Sequence, residues 1–279
     1  MADPTTYSEA VSTAREYYNS SSAENFYSTI WGGEDIHVGI YQSENDTIFT
    51  ASQRTVEKIA EQLKLAPSTK VLDIGAGYGG SARYLVKTYG CPVDCLNLSE
   101  VQNERNRKLN QEQGVADKID VYDGDFEALP MSDASYDVVW CQDSILHSSN
   151  RTKVLEEAYR VLKPGGEFIF TDPMQSDDCN PEEIQPVLDR IHLPSMGSVG
   201  FYREVAARLG FDEVQFIDMS EQIPNHYGSV LKAVNENYDA TVKQCGEEYV
   251  ENMRKGLNHW VNFGKQGKLK WGILHFRKR

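Results

Sequence analysis

Residues 71–80 constrain the fold of this chain more than any other segment. They read VLDIGAGYGG, an apolar run that ends in closely spaced glycines. The apolar run is typical of a buried strand, whereas glycine accepts the positive φ angles of a tight turn and lets the backbone approach a ligand closely. A helix that begins at about residue 79 would present free N–H groups to the same ligand. The segment therefore predicts a strand, turn and helix that together bind a nucleotide-like molecule.

Two ligand classes fit this turn, a nicotinamide dinucleotide and S-adenosylmethionine (SAM). Gly75, Gly77 and Gly80 satisfy the G-x-G-x-x-G pattern, so the glycines do not exclude a dinucleotide. A dinucleotide site also needs an acidic residue at the end of the next strand for the ribose, and that strand, 93–99, ends in Asn97 and Leu98 with no acid beside them. Asp73, two residues before the first glycine, favours SAM because its carboxylate can hold the turn or a water beside the methionine amino group.

Strand and helix patterns alternate along the rest of the chain. This alternation predicts an α/β fold, a doubly wound sheet of seven mostly parallel strands covered by helices on both faces. Strands are predicted at 70–75, 93–99, 119–123, 136–142, 166–172, 214–219 and 269–277, and helices at 7–20, 47–65, 79–89, 100–113, 149–162 and 200–209.

From about residue 45 to the end, the ordered motifs resemble the class I SAM-dependent methyltransferases. The motifs are the glycine turn, the strand that ends at 97–99, the run 123–126 after the third strand, and the fourth strand up to residue 143. The resemblance implies that SAM is the methyl donor, that it leaves as S-adenosylhomocysteine, that no metal is needed, and that the last strand is antiparallel. It assigns Asp73, Gly75, Ala76 and Gly77 to the methionine part, Asn97, Leu98 and Gln102 to the ribose, Asp125 and Phe126 to the adenine, and Gln142 to the sulfonium.

Composition and charge limit the binding partners and the cellular location that are expected for this chain. The chain has 42 acidic and 28 basic residues, a net charge of −14, which argues against a nucleic-acid substrate because phosphate contacts need basic surface. No apolar run is long enough to span a membrane, and no signal peptide is recognisable, so a cytoplasmic location without membrane attachment is expected. The five cysteines are scattered in a pattern that predicts neither a disulfide framework nor a zinc site.

Substrate choice is expected to come from segments outside the SAM-binding core. Residues 1–45 are interpreted as an N-terminal helical cap, and residues 46–279 as the methyltransferase domain. Two insertions in that domain, 173–203 and 221–268, are predicted to form substrate lids. A third candidate is the segment 24–41, whose aromatic residues precede a glycine-rich turn that is expected to lie across the SAM pocket.

Motifs in these segments resemble the sarcosine/dimethylglycine N-methyltransferases, which make glycine betaine. The resemblance rests on a Tyr-x4-Gly motif at 27–32, Gln-Asp-x3-His at 142–147, Asp-Pro-Met at 172–174, and similar runs at 188–198 and 271–278. It implies N-methylation of sarcosine and N,N-dimethylglycine to the osmoprotectant betaine, so the substrate partner is a small zwitterionic amine. The nearest alternative is a phosphoethanolamine or other small-amine N-methyltransferase, and the phosphoethanolamine enzymes share the Tyr and Asp-x3-His positions.

The resemblance also suggests roles at the reacting amine. His147 is the candidate base and Tyr27 its partner, and Asp143 is a candidate for holding the positive amine before transfer. Arg190, with Arg203 as second choice, is expected to clamp the substrate carboxylate, because a planar guanidinium binds a carboxylate with two hydrogen bonds. Trp31 and Tyr202 are expected to join Tyr27 around the quaternary nitrogen, and Met196 is placed with the substrate-binding residues.

Other functions stay open at this point. A NAD-binding dehydrogenase is disfavoured by the end of the second strand, and a non-catalytic SAM-binding module by the elaborate lids. The sequence leaves open whether glycine itself is methylated and whether the chain is a monomer or a homodimer.

Overall fold

The computed structural model describes residues 9–19, 26, 30–31, 33–191 and 193–279. Helices α1 to α10 span Glu9–Asn19, Ile48–Ala60, Gly80–Tyr89, Glu100–Glu112, Arg151–Val161, Gln185–Ile191, Val199–Leu209, Gln222–Glu236, Tyr238–Cys245 and Glu247–Lys265. Strands β1 to β9 span Val71–Ile74, Val93–Asn97, Ile119–Asp123, Tyr136–Gln142, Leu162–Thr171, Met174–Gln175, Phe211–Asp218, Leu269–Lys270 and Gly272–Lys278. Single 3₁₀ turns lie at Ile145–His147 and Pro181–Ile184.

Seven of the described strands form one sheet in the order β3-β2-β1-β4-β5-β9-β7. The first five pair in parallel, and β9 runs antiparallel to both β5 and β7. The predicted seven-stranded α/β fold with an antiparallel last strand is confirmed. The strand order reverses between β1 and β4, and in such sheets the crevice outside the carboxyl ends of those strands is where ligands bind.

The central strands are apolar on both sides because both faces of the sheet are covered. Along β4, Val138 and Trp140 belong to one buried apolar cluster, whereas Val139 and Cys141 belong to the other. This alternation follows from the two-residue period of a strand, and it explains why parallel strands read as nearly continuous hydrophobic runs.

The start of α4 brings the side chains after β2 together. The Ser99 hydroxyl accepts the backbone N–H of Gln102 at 3.2 Å, a helix N-cap that fixes where α4 begins. Gln102 thereby lies in the first turn, and its Oε1 accepts a hydrogen bond from Asn97 Nδ2 at 3.0 Å.

One predicted strand differs in detail from the structure. The segment predicted as a single strand at 269–277 is split at Trp271, so that β8 pairs with β6 in a separate two-stranded sheet while β9 joins the main sheet. At Trp271 the backbone N–H donates to the Ser220 hydroxyl, and the carbonyl accepts from the N–H of Met219. Trp271 is therefore bound to the 219–220 loop rather than to a strand.

Helices α8, α9 and α10 lie in the predicted insertion 221–268, and α10 contacts both α8 and α6. The predicted insertion 173–203 contains α6 and the beginning of α7. The division at residue 45 stays a prediction. Among the described residues, no helix is long and apolar enough to cross a membrane.

Candidate functional site

The turn after β1 has the backbone that its glycines allow. Gly75 and Gly77 have φ angles of 78° and 53°, in the left-handed region that residues with a Cβ rarely adopt. A Cβ on Gly75 would overlap the Ser144 side chain. The backbone N–H groups of Gly75 and Ala76 donate to the Leu96 carbonyl, which ties the turn to the end of β2.

A cleft of about 930 Å³ opens above this turn at the carboxyl ends of the central strands. The structure brings all of the sequence-predicted cofactor residues into its lining, namely Asp73, Gly75, Ala76, Gly77, Asn97, Leu98, Gln102, Asp125, Phe126 and Gln142. The acid that a dinucleotide site would carry after β2 is replaced by the Asn97–Gln102 pair.

The chemistry of the lining fits SAM. Nε2 of Gln142 is buried and has no hydrogen-bond partner among the described residues, so a ligand with acceptor atoms would satisfy it. SAM brings such acceptors in its carboxylate and hydroxyl groups. Asp73 would offer a carboxyl to its amino group, and the Phe126 ring would offer an aromatic surface to its adenine.

Two titratable groups beside the turn have shifted pKa values. Burial raises the pKa of Asp73 to about 7, a shift that the nearby imidazole of His37 opposes. Burial lowers the pKa of His37, but the Asp35 carboxylate, 3.6 Å away, and Asp143 together raise it above its ordinary value. Beside the turn, the cleft therefore holds a carboxyl that resists ionisation and an imidazole that favours its charged form.

A second cavity of about 840 Å³ adjoins the first. Its walls combine aromatic rings with a few polar groups, and these include Tyr17, Tyr18, Trp31, Tyr227, Trp260, Asp143, His147 and Arg190. Tyr18, Ile36, His37, Asp143 and His147 line both cavities. A ligand in one cavity can therefore meet a ligand in the other at these five residues.

His147 lies at this junction on the 3₁₀ turn after β4. Its Nε2 lies 3.0 Å from the Tyr18 hydroxyl, and the two rings meet edge to face. Burial, together with the positive charges of Arg151 and Arg190, lowers the pKa of His147 to about 4. Tyr27, the predicted partner, lies outside the described residues, whereas the tyrosine that contacts His147 is Tyr18.

Asp143 is held in an unusual backbone conformation, with a φ angle of 50°. Its Oδ2 accepts the Val38 N–H at 2.7 Å, and its Oδ1 accepts the Trp271 indole N–H at 2.8 Å. Burial raises its pKa. Because a carboxylate has about four acceptor positions, two bonds leave capacity for a donor in the cavity.

The two candidate arginines lie in different places. Arg190, in the last turn of α6, lines the second cavity, with Nη2 at 2.6 Å from Met253 Sδ. Arg203 forms a bidentate ion pair with Glu213 and its side chain is 47 % exposed. The second choice for the carboxylate clamp is therefore corrected to a surface ion pair.

Tyr202 and Met196 are buried outside both cavities. The Tyr202 hydroxyl donates to Asp172 Oδ2 at 2.6 Å, so this ring is part of the packing behind the site. Tyr202 therefore does not belong to the group of aromatic rings that was expected around the quaternary nitrogen. Trp31 does line the cavity, and with it are Tyr17, Tyr18, Tyr227 and Trp260.

Several lining residues were not predicted individually. Arg15 and Tyr18 come from α1, and Glu34, Asp35 and His37 come from the loop before α2, within the segment 24–41 that was expected to lie across the SAM pocket. The resemblance pointed to Tyr27, nine residues after Tyr18, and nothing in the sequence of α1 indicates which of its faces turns towards the cleft. The acidic and histidine residues of 34–37 are a further signal for a polar site in this loop.

Comparisons with known proteins agree with this geometry. The family described as a methyltransferase domain matches residues 72–170. The sarcosine/dimethylglycine N-methyltransferase of Aphanothece halophytica is 58% identical over 266 residues, which cover 95% of this chain and 96% of that protein. The sarcosine/dimethylglycine N-methyltransferase of Halorhodospira halochloris is 54% identical over 271 residues, 97% of each chain.

A solved structure supports the same grouping. The crystal structure from Galdieria sulphuraria, provisionally described as a sarcosine dimethylglycine methyltransferase, superposes with a TM-score of 0.90 at 43% identity and covers 94% of this chain and 98% of that one. Identity at this level over nearly the whole length, together with the glycine turn and the two adjoining cavities, defines the family. The chain belongs to the sarcosine/dimethylglycine N-methyltransferases, within the SAM-dependent methyltransferases.

Proposed function

We propose that this protein methylates the nitrogen of sarcosine and of N,N-dimethylglycine, with glycine betaine as the final product. The observation that carries the proposal is the second cavity, which joins the SAM cleft at His147 and Asp143 and contains Arg190 among aromatic walls. When bound, SAM supplies an electrophilic methyl group and leaves as S-adenosylhomocysteine. The protein has to orient the amine, exclude water and let the nitrogen lose its proton.

Arg190 and the aromatic rings suit the two ends of such a substrate. The guanidinium of Arg190 can hold the carboxylate with two hydrogen bonds. Tyr227 and Trp260 are stacked with ring centroids 4.7 Å apart, and Trp31 meets Tyr227 edge to face. Aromatic faces of this kind attract a quaternary ammonium, which has no N–H to donate. Asp143 at the junction adds a carboxyl for the positively charged amine.

The depressed pKa of His147 limits what this residue can do. A secondary or tertiary amine has a pKa near that of Lys, about 10, so its free form costs about 4 kcal/mol at pH 7. Passing the proton to an imidazole with a pKa of about 4 would cost more, about 8 kcal/mol for a gap of some six pKa units. His147 therefore does not take the proton of the amine, and it acts chiefly as a hydrogen-bond acceptor that orients the nitrogen once that proton is lost.

The nearest rival is a phosphoethanolamine methyltransferase. A phosphate dianion would favour several basic groups around it, whereas Arg190 is the one Arg or Lys among the described residues that line the second cavity. His37 lines this cavity as well, but the Asp35 carboxylate 3.6 Å away offsets its positive charge. A single guanidinium matches a carboxylate better. This charge count favours an amino acid over a phosphorylated amine.

The test is methyl transfer from labelled SAM to glycine, sarcosine, dimethylglycine and phosphoethanolamine, at low and high salt. We expect sarcosine to give dimethylglycine and then betaine, and dimethylglycine to give betaine directly. Activity on phosphoethanolamine alone, or on none of the four, would overturn the substrate assignment and leave the SAM site intact. The result with glycine decides whether this enzyme also catalyses the first methylation, from glycine to sarcosine.

We also propose that the enzyme acts in the cytoplasm with no nucleic-acid or membrane partner. The support is compositional: a net charge of −14 and five scattered cysteines. Fractionation of cells that express the full chain would test the location.

A further inference from the structure

The turn that carries His147 is held from both sides by charged side chains. The Leu146 backbone N–H donates to Asp172 Oδ1 at 2.8 Å, and the Leu146 carbonyl accepts from Arg151 Nη2 at 3.0 Å. Both polar groups of the residue before His147 are thus bonded to side chains rather than to the backbone. A 3₁₀ turn of three residues has few hydrogen bonds of its own, so these two contacts fix its orientation.

Arg151 also reaches the segment that follows α6, and Asp172 reaches α7. Arg151 donates from Nη2 to the Ser195 carbonyl at 2.6 Å, and its Nη1 lies 3.4 Å from the Ser195 hydroxyl. Leu193, two residues earlier, lines the second cavity. On the other side, Asp172 Oδ2 accepts the Tyr202 hydroxyl at 2.6 Å. Arg151 therefore bridges the His147 turn to the Ser195 carbonyl, two residues from a residue that lines the second cavity, and Asp172 bridges the same turn to Tyr202.

Stability alone does not account for this arrangement. Asp172 is fully buried, and burial raises its pKa to about 7 although Tyr202, Arg151 and the Leu146 N–H all favour the ionised form. Buried charged groups are often no more stabilising than apolar residues of similar volume. The burial of the Asp172 carboxyl next to the His147 turn is unfavourable by itself. A role in orienting that turn explains it more readily, as in the outer shells of catalytic sites.

We propose that Asp172 and Arg151 are positioning residues that orient His147. Arg151 also couples the His147 turn to the segment between α6 and α7 that contains Ser195, which we call the Ser195 segment. The inference rests on the proposed function in that His147 is taken to face the reacting amine. A shift of the Ser195 segment would be passed through Arg151 to the Leu146 carbonyl and so to the imidazole. Neither residue touches the substrate.

A double-mutant cycle on sarcosine methylation tests the proposal. Asp172→Asn and Arg151→Lys keep the size of the side chains but weaken the bonds to Leu146. Each should lower kcat roughly 3- to 10-fold, as expected for one hydrogen bond, without changing SAM affinity. In a His147→Ala background the same substitutions should cost nothing further, because the group that they position is gone.

Asp212→Asn and Arg203→Lys are matched controls, since both residues form ion pairs at the surface. Neither should alter kcat in either background. Equal losses for Asp172→Asn and Arg151→Lys with and without His147 would overturn the positioning role, and so would the absence of any loss. If the Asp172→Asn protein does not fold, the result for Arg151→Lys alone tests the positioning role.

A substrate-independent readout separates this inference from the proposed function. In the ligand-free enzyme with labelled histidine, the His147 ring signal, assigned with His147→Ala, should move in Arg151→Lys and stay in place in Arg203→Lys. A stationary signal in Arg151→Lys would refute the positioning role. Wild-type enzyme that is inactive on sarcosine and dimethylglycine would refute the proposed function, and the ring signal would still test the coupling.

Discussion

Asp73 is a carboxyl group on β1 that faces the cofactor cleft and is only 3 % exposed. Because burial raises its pKa to about 7, the folded protein binds more protons than the unfolded chain between about pH 4 and pH 7. The free energy of unfolding therefore falls as the pH rises through this window, and the full penalty is present above pH 7. The ligand-free protein bears this cost at a residue that lines the cleft in which we propose that SAM binds.

Asp73→Asn should therefore stabilise the ligand-free protein and weaken its hold on SAM. We expect the melting temperature at pH 8 to rise and its decline between pH 4 and pH 7 to become shallower. We expect the SAM dissociation constant to increase by roughly 10- to 100-fold, the value of a hydrogen bond to a charged group. Thermal melts across pH and calorimetric titration with SAM measure the two effects, with Asp212→Asn as control. An unchanged SAM affinity would remove Asp73 from the cofactor site.

His147→Ala distinguishes an orienting role from a basic one. Sarcosine as the free amine keeps one N–H to donate to His147, whereas dimethylglycine as the free amine has none. We expect kcat/KM for sarcosine to fall roughly 3- to 10-fold and that for dimethylglycine to change less. Initial rates on the two substrates measure this ratio. Losses of more than about 100-fold on both substrates would instead assign His147 as a general base.

At the level of elements, the contact between α6 and α10 positions Arg190, which lines the second cavity. Gly256 lies on α10 where the Arg190 side chain crosses, and a Cβ there would overlap Cδ and Nε of that side chain. Alanine is the better helix former by about 1 kcal/mol, so helix propensity does not explain the glycine. The absence of a side chain at 256 is what allows Arg190 to lie along α10 and line the cavity.

Gly256→Ala should displace Arg190 and weaken substrate binding. We expect the KM for sarcosine to rise roughly 10- to 100-fold, as for the loss of charge-assisted hydrogen bonds, with the SAM dissociation constant unchanged. Gly228→Ala on α8 is a matched control, because a Cβ there would only touch Val261 at 4.0 Å. Steady-state kinetics at saturating SAM measure the effect. A normal KM in Gly256→Ala would mean that Arg190 does not hold the carboxylate.

At the level of the whole molecule, the net charge of −14 acts on stability. An excess of like charge repels itself in the folded state, and dissolved salt screens that repulsion. The screening length falls from about 30 Å at 0.01 M to about 3 Å at 1 M salt. Stability should therefore rise with ionic strength even though individual surface ion pairs weaken.

We expect the melting temperature to increase by several degrees between 0.01 M and 1 M KCl. Most of the increase should occur at the low end of that range, where the screening length changes most. Differential scanning fluorimetry measures it, with sucrose as a non-ionic comparison. A melting temperature that falls or stays level with KCl would show that paired surface charges outweigh the net repulsion.

The cofactor cleft could be predicted from sequence because its parts are local. Gly75 and Gly77 follow β1 directly, and Gln102 lies in the helical turn that Ser99 caps after β2. The carboxyl ends of parallel neighbours meet at one edge of the sheet, so residues at successive strand ends come together without any knowledge of helix packing. Asp125 and Gln142 reach the cleft by the same rule.

The substrate cavity could not be predicted in this way. Its walls come from α1, α6, α8 and α10, and the periodicity of a helix indicates that it has a buried face without indicating what that face meets. Tyr202 and Arg203 are neighbours on α7, yet one is buried against Asp172 and the other pairs with Glu213 at the surface.

The sequence by itself determined the alternation of strands and helices, the glycine turn and the line of polar residues at the strand ends, because these depend on neighbours in the chain. Only the tertiary structure decided that Tyr18 lies on His147, that Arg190 crosses Gly256 and that Asp172 holds the Leu146 N–H. These contacts join segments that lie far apart in sequence, and their geometry follows from how the helices pack around the sheet.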